Sequence, residues 1–489
     1  VGARGFWYPN RGLAMANFDM EFQSPKEWTL VATGKRVSQH TEGTEQISRW
    51  VSERPIPMAG FNLGEYERAT AKAGDVSIEV YATRGMEKTF PRLPLPGADV
   101  ALLPPPPAMR YPSRSTQGRM VTDLMTQSQI SPFPPEPNRN AVQVAKEAEE
   151  MIDFMVRLVG PFPYSSLALS QKPGAVSQGW PGLVFLSSYA FLSQEERQAL
   201  KMPAFESMMF GGLMTRHEVA HQWWGDLIGW KTYRDQWLVE ALSTYCALLS
   251  IEKDDPRQFQ AMLDIYRNAL DAENSDQQKT ASAGPVTLGV RLNSSLFPKG
   301  FETISYGRGT WLLHMLRHLL RDAEAVTAEV VPASRARRKQ APIAQNSEEP
   351  FFRVLRKLRE QFEGKEISTA DLQRLAEAEL PESFRFERRK SLDWFFDSWV
   401  NGMAAPQIEL KNVKFTRKGT ANVITGVVVQ RDAPDDLVTS VPIYSNDGGK
   451  LALLGRVFAD GAETTFEFQA PLAARRIVVD PYDTVLSRK

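Results

Sequence analysis

A single cysteine, Cys246, stands in the 489 residues, so no internal disulfide can form and folding must rest on packing. Its place in the apolar run LVEALSTYCALL makes a packed thiol the expected state rather than a reactive one. Net charge is also lacking. Fifty-eight basic residues balance fifty-eight acidic ones, which excludes nucleic acid or a membrane surface as a partner attracted by bulk charge. No apolar run approaches the ~20 residues that a membrane-spanning helix needs. The first residues carry no initiator Met, no basic stretch and no apolar core of a signal peptide, so localisation is not specified. Histidine is scarce too, with five in the chain. That scarcity gives weight to where they fall.

Two of the five form His217-Glu218-Val219-Ala220-His221. On a helix, positions four apart share a face, so both imidazoles can converge on one ion, with Glu218 beside them as a base. With so few histidines, a chance His-Glu-x-x-His has a probability of roughly a few in a thousand. A catalytic zinc takes three protein ligands and keeps one position open. Glu240 is the candidate third ligand, 240 − 221 = 19 positions after His221 and inside a second apolar, helix-spaced run. Gly225 and Gly229 mark where the first helix can stop and the chain turn back. One Zn2+ per chain is the cofactor this pattern predicts. His314 and His318 are also four apart, but Met315 stands where an acid would be needed, and TWLLHMLRHLL reads as a core helix. Asp226 and Asp235 are candidates to accept the outer N–H groups of the ligand imidazoles, or to cap helices.

These residues resemble a known family. HEVAHQWWGDLIG…WLVEALSTY is similar to the zinc aminopeptidases of the aminopeptidase N and leukotriene hydrolase type, whose signature is His-Glu-x-x-His, eighteen residues, then Glu. SYGRGTWLLHM (305–315) resembles the family segment that bears a catalytic tyrosine, which would be Tyr306. LDWFFDSWVNGMAAP (392–406) resembles the end of the family's helical region, and residues 7–37 the later part of its N-terminal β domain. The resemblance implies hydrolysis of peptide substrates, with Glu218 as general base and Tyr306 as a donor to the oxyanion. It also places Val1 inside the family's first domain, so a trimmed or processed chain is expected.

One motif departs from the family. Its exopeptidases carry a Gly-x-Met-Glu-Asn loop whose glutamate binds the substrate's free α-amine. Matching Pro181-Gly182-Leu183 to the residues after that loop puts Val176-Ser177-Gln178-Gly179-Trp180 in its place. Gln178, Gly179 and Trp180 thus become the substrate-binding candidates, and Gly179 stands where the glutamate should be. Glycine lets another backbone approach closely, so the loop is expected to admit substrate on the side normally closed. A peptidase with altered N-terminal recognition, of exo- or endopeptidase type, is the leading reading; a catalytically weak, peptide- or protein-binding member of the same fold is the alternative. A third is an ordinary aminopeptidase that holds the amine with an acid from elsewhere.

The fold class expected is α+β and multidomain. Residues 1–90 alternate as strands and form an N-terminal β domain, incomplete at its start. Residues 91–138 are proline-rich and read as a semi-rigid connector. Residues 139–402 form a thermolysin-like catalytic domain with a helical lobe, and 403–489 a β-sandwich of short, β-branched strands. The basic stretch 332–347 has no periodicity and reads as a surface insertion. Oligomeric state is not specified.

Overall fold

A computed structural model describes residues 7–9, 12, 14–90, 135–329, 349–419, 421–471 and 474–488. The proline-rich connector (91–134 of it) and the basic stretch 332–347 lie outside these residues.

The first layer is β. Strands β1 (Asp19–Pro25), β3 (Lys35–Glu42) and β4 (Glu45–Val51) form one antiparallel sheet in the order β1-β4-β3, and β2 (Thr29–Ala32) pairs with β5 (Phe61–Gly64). Met20, Leu30, Trp50 and Ile56 make their common core.

The next two strands, β6 (Glu67–Ala73) and β7 (Val76–Ala82), belong elsewhere. They join β8 (Ser166–Lys172), β9 (Gln178–Trp180) and β10 (Leu183–Ser187) in a five-stranded sheet ordered β6-β7-β8-β10-β9. Within the span expected as the N-terminal β domain (1–90), these two strands therefore pair with strands beyond residue 160. Val76, Ile78 and Val80 alternate as foreseen, but alternation does not say which sheet a strand enters; β7 pairs in parallel with β8, some ninety residues on. Helix α1 (Pro137–Val159) lies over this sheet. It opens on Pro137, whose missing N–H costs nothing in the first turn, and buries Ala141, Val144, Ala148, Met151, Ile152 and Met155 on one face.

Helices α2 (Met214–Ala220) and α3 (Gln236–Glu252) follow, carrying the metal-ligand candidates. Strand β11 (Gly229–Trp230), in the turn between them, pairs with β12 (Glu366–Ile367). The longer helices that follow are α4 (Pro256–Asp271), α5 (Gly309–Glu329), α6 (Pro350–Phe362) and α7 (Thr369–Glu379). Ser368 caps α7, with Asp371 answering in a capping box. Among the described residues no helix is long and apolar enough to cross a membrane.

The last part is two three-stranded sheets, β13 (Gln407–Lys418)-β14 (Ala421–Arg431)-β17 (Glu463–Pro471) and β16 (Lys450–Asp460)-β15 (Val438–Asp447)-β18 (Arg476–Val479). Ile424, Val428, Val441, Ile443 and Val457 fill the space between them. Asp322 on α5 fastens this unit, accepting from Arg456 of β16 at 2.6 Å, with both side chains buried. Deleting one partner leaves the other charge buried and unmatched. Asp322→Ala is therefore expected to cost about 3–5 kcal/mol in chemical denaturation, and a loss below about 1 kcal/mol would show that Arg456 finds water instead.

Candidate metal centre

Helix α2 presents His217 in its last turn, and His221 caps its end. Gly225, at φ +121°, then reverses the chain toward α3, whose first turns deliver Glu240. The ligand atoms of His217, His221 and Glu240 all lie within 4.8 Å of one another. Nε2 of His217 and Nε2 of His221 are 3.0 Å apart. Glu240 Oε2 is 3.7 Å from the first and 3.4 Å from the second, and it is buried without a hydrogen bond of ordinary geometry.

The outer nitrogens fix the tautomers. His221 Nδ1 faces the carbonyl oxygen of Trp224 at 2.8 Å, and an oxygen with no proton makes Nδ1 the donor. Thr244 spends its hydroxyl proton on Glu240 O at 2.8 Å, so its oxygen is left to accept from His217 Nδ1 at 3.2 Å. Both Nε2 atoms then turn lone pairs inward. Two lone pairs and an unpartnered carboxylate oxygen meet at one point, and the group that satisfies all three is a cation; imidazole, imidazole and carboxylate suit Zn2+. Burial, with His221 as neighbour, drives His217 down to about 3, keeping it neutral as a ligand must be. Burial opposes charge on His221 as well, yet Glu240 outweighs it and raises that ring to about 10; that Nε2 proton is the one a cation displaces when it binds.

Asp226 and Asp235 do not receive the imidazole protons. Asp226 accepts from Gln222 Nε2 at 3.0 Å, and Asp235 binds Thr232 and Thr369, holding the start of α3 against that of α7. Ser243, 3.2 Å from His221 Nδ1, and Thr244 stand where the acids were expected. A signal existed: both lie three and four positions after Glu240, on the same helix face.

Glu218 is buried, and burial pushes its pKa up to about 7 while the backbone N–H of Gly179 donates to its carboxylate. The Tyr306 ring stacks on His217, with centroids 5.6 Å apart at 30°, and burial together with the charge of Glu240 raises its hydroxyl well above the usual range. Both therefore flank the three ligand atoms. Cys246 is buried, its thiol pushed up to about 12, and His314 and His318 are core residues, His314 Nδ1 meeting Tyr245 Oη at 3.0 Å.

The segment read as a loop at 176–180 is in part a strand, β9, at the edge of its sheet. Its side chains alternate. Gln178 and Trp180 line a cavity of about 200 Å³ together with Trp7, Phe61 and Phe185. Gly179 faces the opposite way, onto α2. A Cβ there would sit 2.7 Å from Glu218 O and 2.8 Å from His221 Cβ. The expected opening is thus filled: the backbone that glycine lets come close belongs to the His217 helix itself.

The chain matches the peptidase family M1 domain over residues 181–329. It is 23% identical over 183 residues to aminopeptidase N of Lactobacillus helveticus, covering 37% of this chain and 21% of that protein. It is 25% identical over 186 residues to the probable aminopeptidase 1 of Sulfurisphaera tokodaii, covering 37% and 22%. The chain thus spans about a fifth of the length of these curated relatives. The M1 zinc metallopeptidase of Deinococcus radiodurans superposes with a TM-score of 0.48 at 18% identity, covering 81% of this chain and 66% of that one. The matched stretch contains both ligand helices and Tyr306: residues 181–329 of this chain carry a peptidase family M1 domain, and within it His217, His221 and Glu240 form a set that suits zinc.

Proposed function

We propose that this chain hydrolyses peptide bonds in a thermolysin-like cleft, with zinc held by His217, His221 and Glu240, and without requiring a free α-amine on its substrate. The observation that carries the reading is the convergence of the His217, His221 and Glu240 ligand atoms within 4.8 Å of one another, beside the buried Glu218 carboxylate. Bound there, zinc would polarise the scissile carbonyl and make water a nucleophile at neutral pH. Glu218 takes the proton of the attacking water and returns it to the leaving amine. Tyr306 donates its hydroxyl proton to the carbonyl oxygen as negative charge builds there. Strand β9 offers its free edge, along which an extended peptide can align.

The relaxed amine requirement follows from Gly179. A buried ammonium without an anionic partner loses its hydration and gains little. Position 179 has neither a carboxylate nor room for one, since its Cβ would already collide with α2. The test is product mapping by mass spectrometry on matched free and N-acetylated peptides. Cleavage of both is expected, with kcat/KM values within about tenfold of each other. A preference of about 100-fold for the free peptides, roughly 2.7 kcal/mol, would mean that another group anchors the amine, and the chain would then act as an ordinary aminopeptidase.

A further inference from the structure

Tyr306 sits in a π-helical turn, Glu302–Arg308, that runs into α5. Such turns are rare and concentrate at functional sites. Each residue of Tyr306-Gly307-Arg308-Gly309 has a separate packing role. A Cβ at Gly309 would lie 2.8 Å from Ala241 Cβ, so the turn rests flush on α3 one residue from Glu240. Gly307 gives the same close fit against the Tyr266 ring, where a Cβ would come within 3.2 Å. These two contacts set how near the turn lies. They do not set its rotation.

Arg308 is fully buried, yet it pairs with no carboxylate among the described residues. Its guanidinium donates from Nη1 to Ala404 O at 2.9 Å and from Nη2 to Trp399 O at 3.0 Å. Burial lowers its pKa to about 10, which leaves it charged. A buried cation without a counterion is costly, and an apolar residue could fill the same volume. What only the planar fork supplies is a directional tie to two carbonyls. Trp399 lies in a second π-helical turn, Phe396–Val400, near whose end carbonyls carry partial negative charge. That turn is fastened in its own right: Trp399 Nε1 donates to Val438 O at 2.9 Å, and Val438 N donates to Ser398 Oγ at 3.2 Å. Val438 begins β15 of the C-terminal sheets.

We propose that Arg308 is a positioning residue for Tyr306: it ties the turn bearing the tyrosine to the turn Phe396–Val400, through which the C-terminal sheets hold that hydroxyl beside the metal ligands. The proposal rests on the reading in which Tyr306 serves the carbonyl oxygen. A purely structural Arg308 would affect stability alike whether or not the tyrosine is present. A positioning one acts through Tyr306 and nothing else.

The experiment is a double-mutant cycle. Tyr306→Phe alone is expected to lower kcat by about 10²–10³, the usual effect of one lost oxyanion donor. Arg308→Met should lower kcat by about 10–100-fold, the scale of a mispositioned group, with KM within about threefold and zinc still at one per chain. Arg308→Lys, which keeps a charge and one donor direction, should recover part of the loss. In the Tyr306→Phe background, Arg308→Met should cost less than about threefold, because the group it positions is gone. Equal costs in both backgrounds would overturn the proposal. Should Arg308→Met fail to fold, Trp399→Phe loosens the same tie from its far end, and its effect must likewise vanish in Tyr306→Phe. Fluorine NMR of 3-fluorotyrosine-labelled protein gives a readout independent of turnover. The resonance that disappears in Tyr306→Phe should shift and broaden in Arg308→Lys, and an unchanged line would refute the tie. A wild-type protein that cleaves no peptide would overturn the peptidase reading, and the fluorine line would still decide on Arg308.

Discussion

Glu218→Gln is expected to lower kcat by about 10²–10⁴, the contribution of a positioned general base, while metal analysis still finds one zinc per chain. The separation follows from the geometry. The residues proposed to hold zinc are His217, His221 and Glu240, and none of their atoms changes. A glutamine has the same shape, and its carbonyl oxygen can still accept from Gly179 N–H, so the contact between α2 and β9 survives. What is lost is the ability to take a proton. Retained turnover would show that another group is the base. Loss of zinc along with activity would show that Glu218 supports the site rather than the chemistry.

Gly179→Ala is expected to damage the site although it adds one methyl group. Its Cβ would meet Glu218 O at 2.7 Å and His221 Cβ at 2.8 Å. The first is backbone and the second is the root of a ligand side chain, so neither can turn away on a flexible arm. Either β9 or α2 must shift. Overpacking of this kind costs about 1–3 kcal/mol, and a displacement approaching 1 Å at a reacting centre can cost about 10² in rate. The expected result is a fall of that order in kcat/KM, with weaker retention of zinc against a chelator. Gly179→Glu should be worse. It will not create an amine anchor, because a longer side chain begins from the same colliding Cβ. An alanine variant with wild-type rate and zinc affinity would show that β9 yields freely and that position 179 has room for a side chain.

The sequence specified what repeats along the chain or lies within a few turns of helix. His217, Glu218 and His221 could be placed because a helix brings i and i + 4 together whatever surrounds it. Glu240 followed from the apolar spacing of the next helix, and α1, Ser368 and the strands after 403 from periodicity and caps. Tyr306 was reached only through family resemblance, since a lone tyrosine has no pattern. Tertiary structure decided the rest. Asp226 and Asp235 were chemically reasonable acceptors, but hydrogen bonds depend on direction, and the fold aims the imidazoles at Trp224 O, Ser243 and Thr244. Strands β6 and β7 joined a sheet with β8 because strand pairing is settled by distant partners. Arg308 reads as one more surface cation until the turn buries it. Gly179 taught the most: one sequence could say that a carboxylate was missing, but only the packed sheet against the helix shows that the space for it is missing as well. Local spacing is written into the chain by the geometry of one helix, whereas contact between elements depends on where every other element has come to rest.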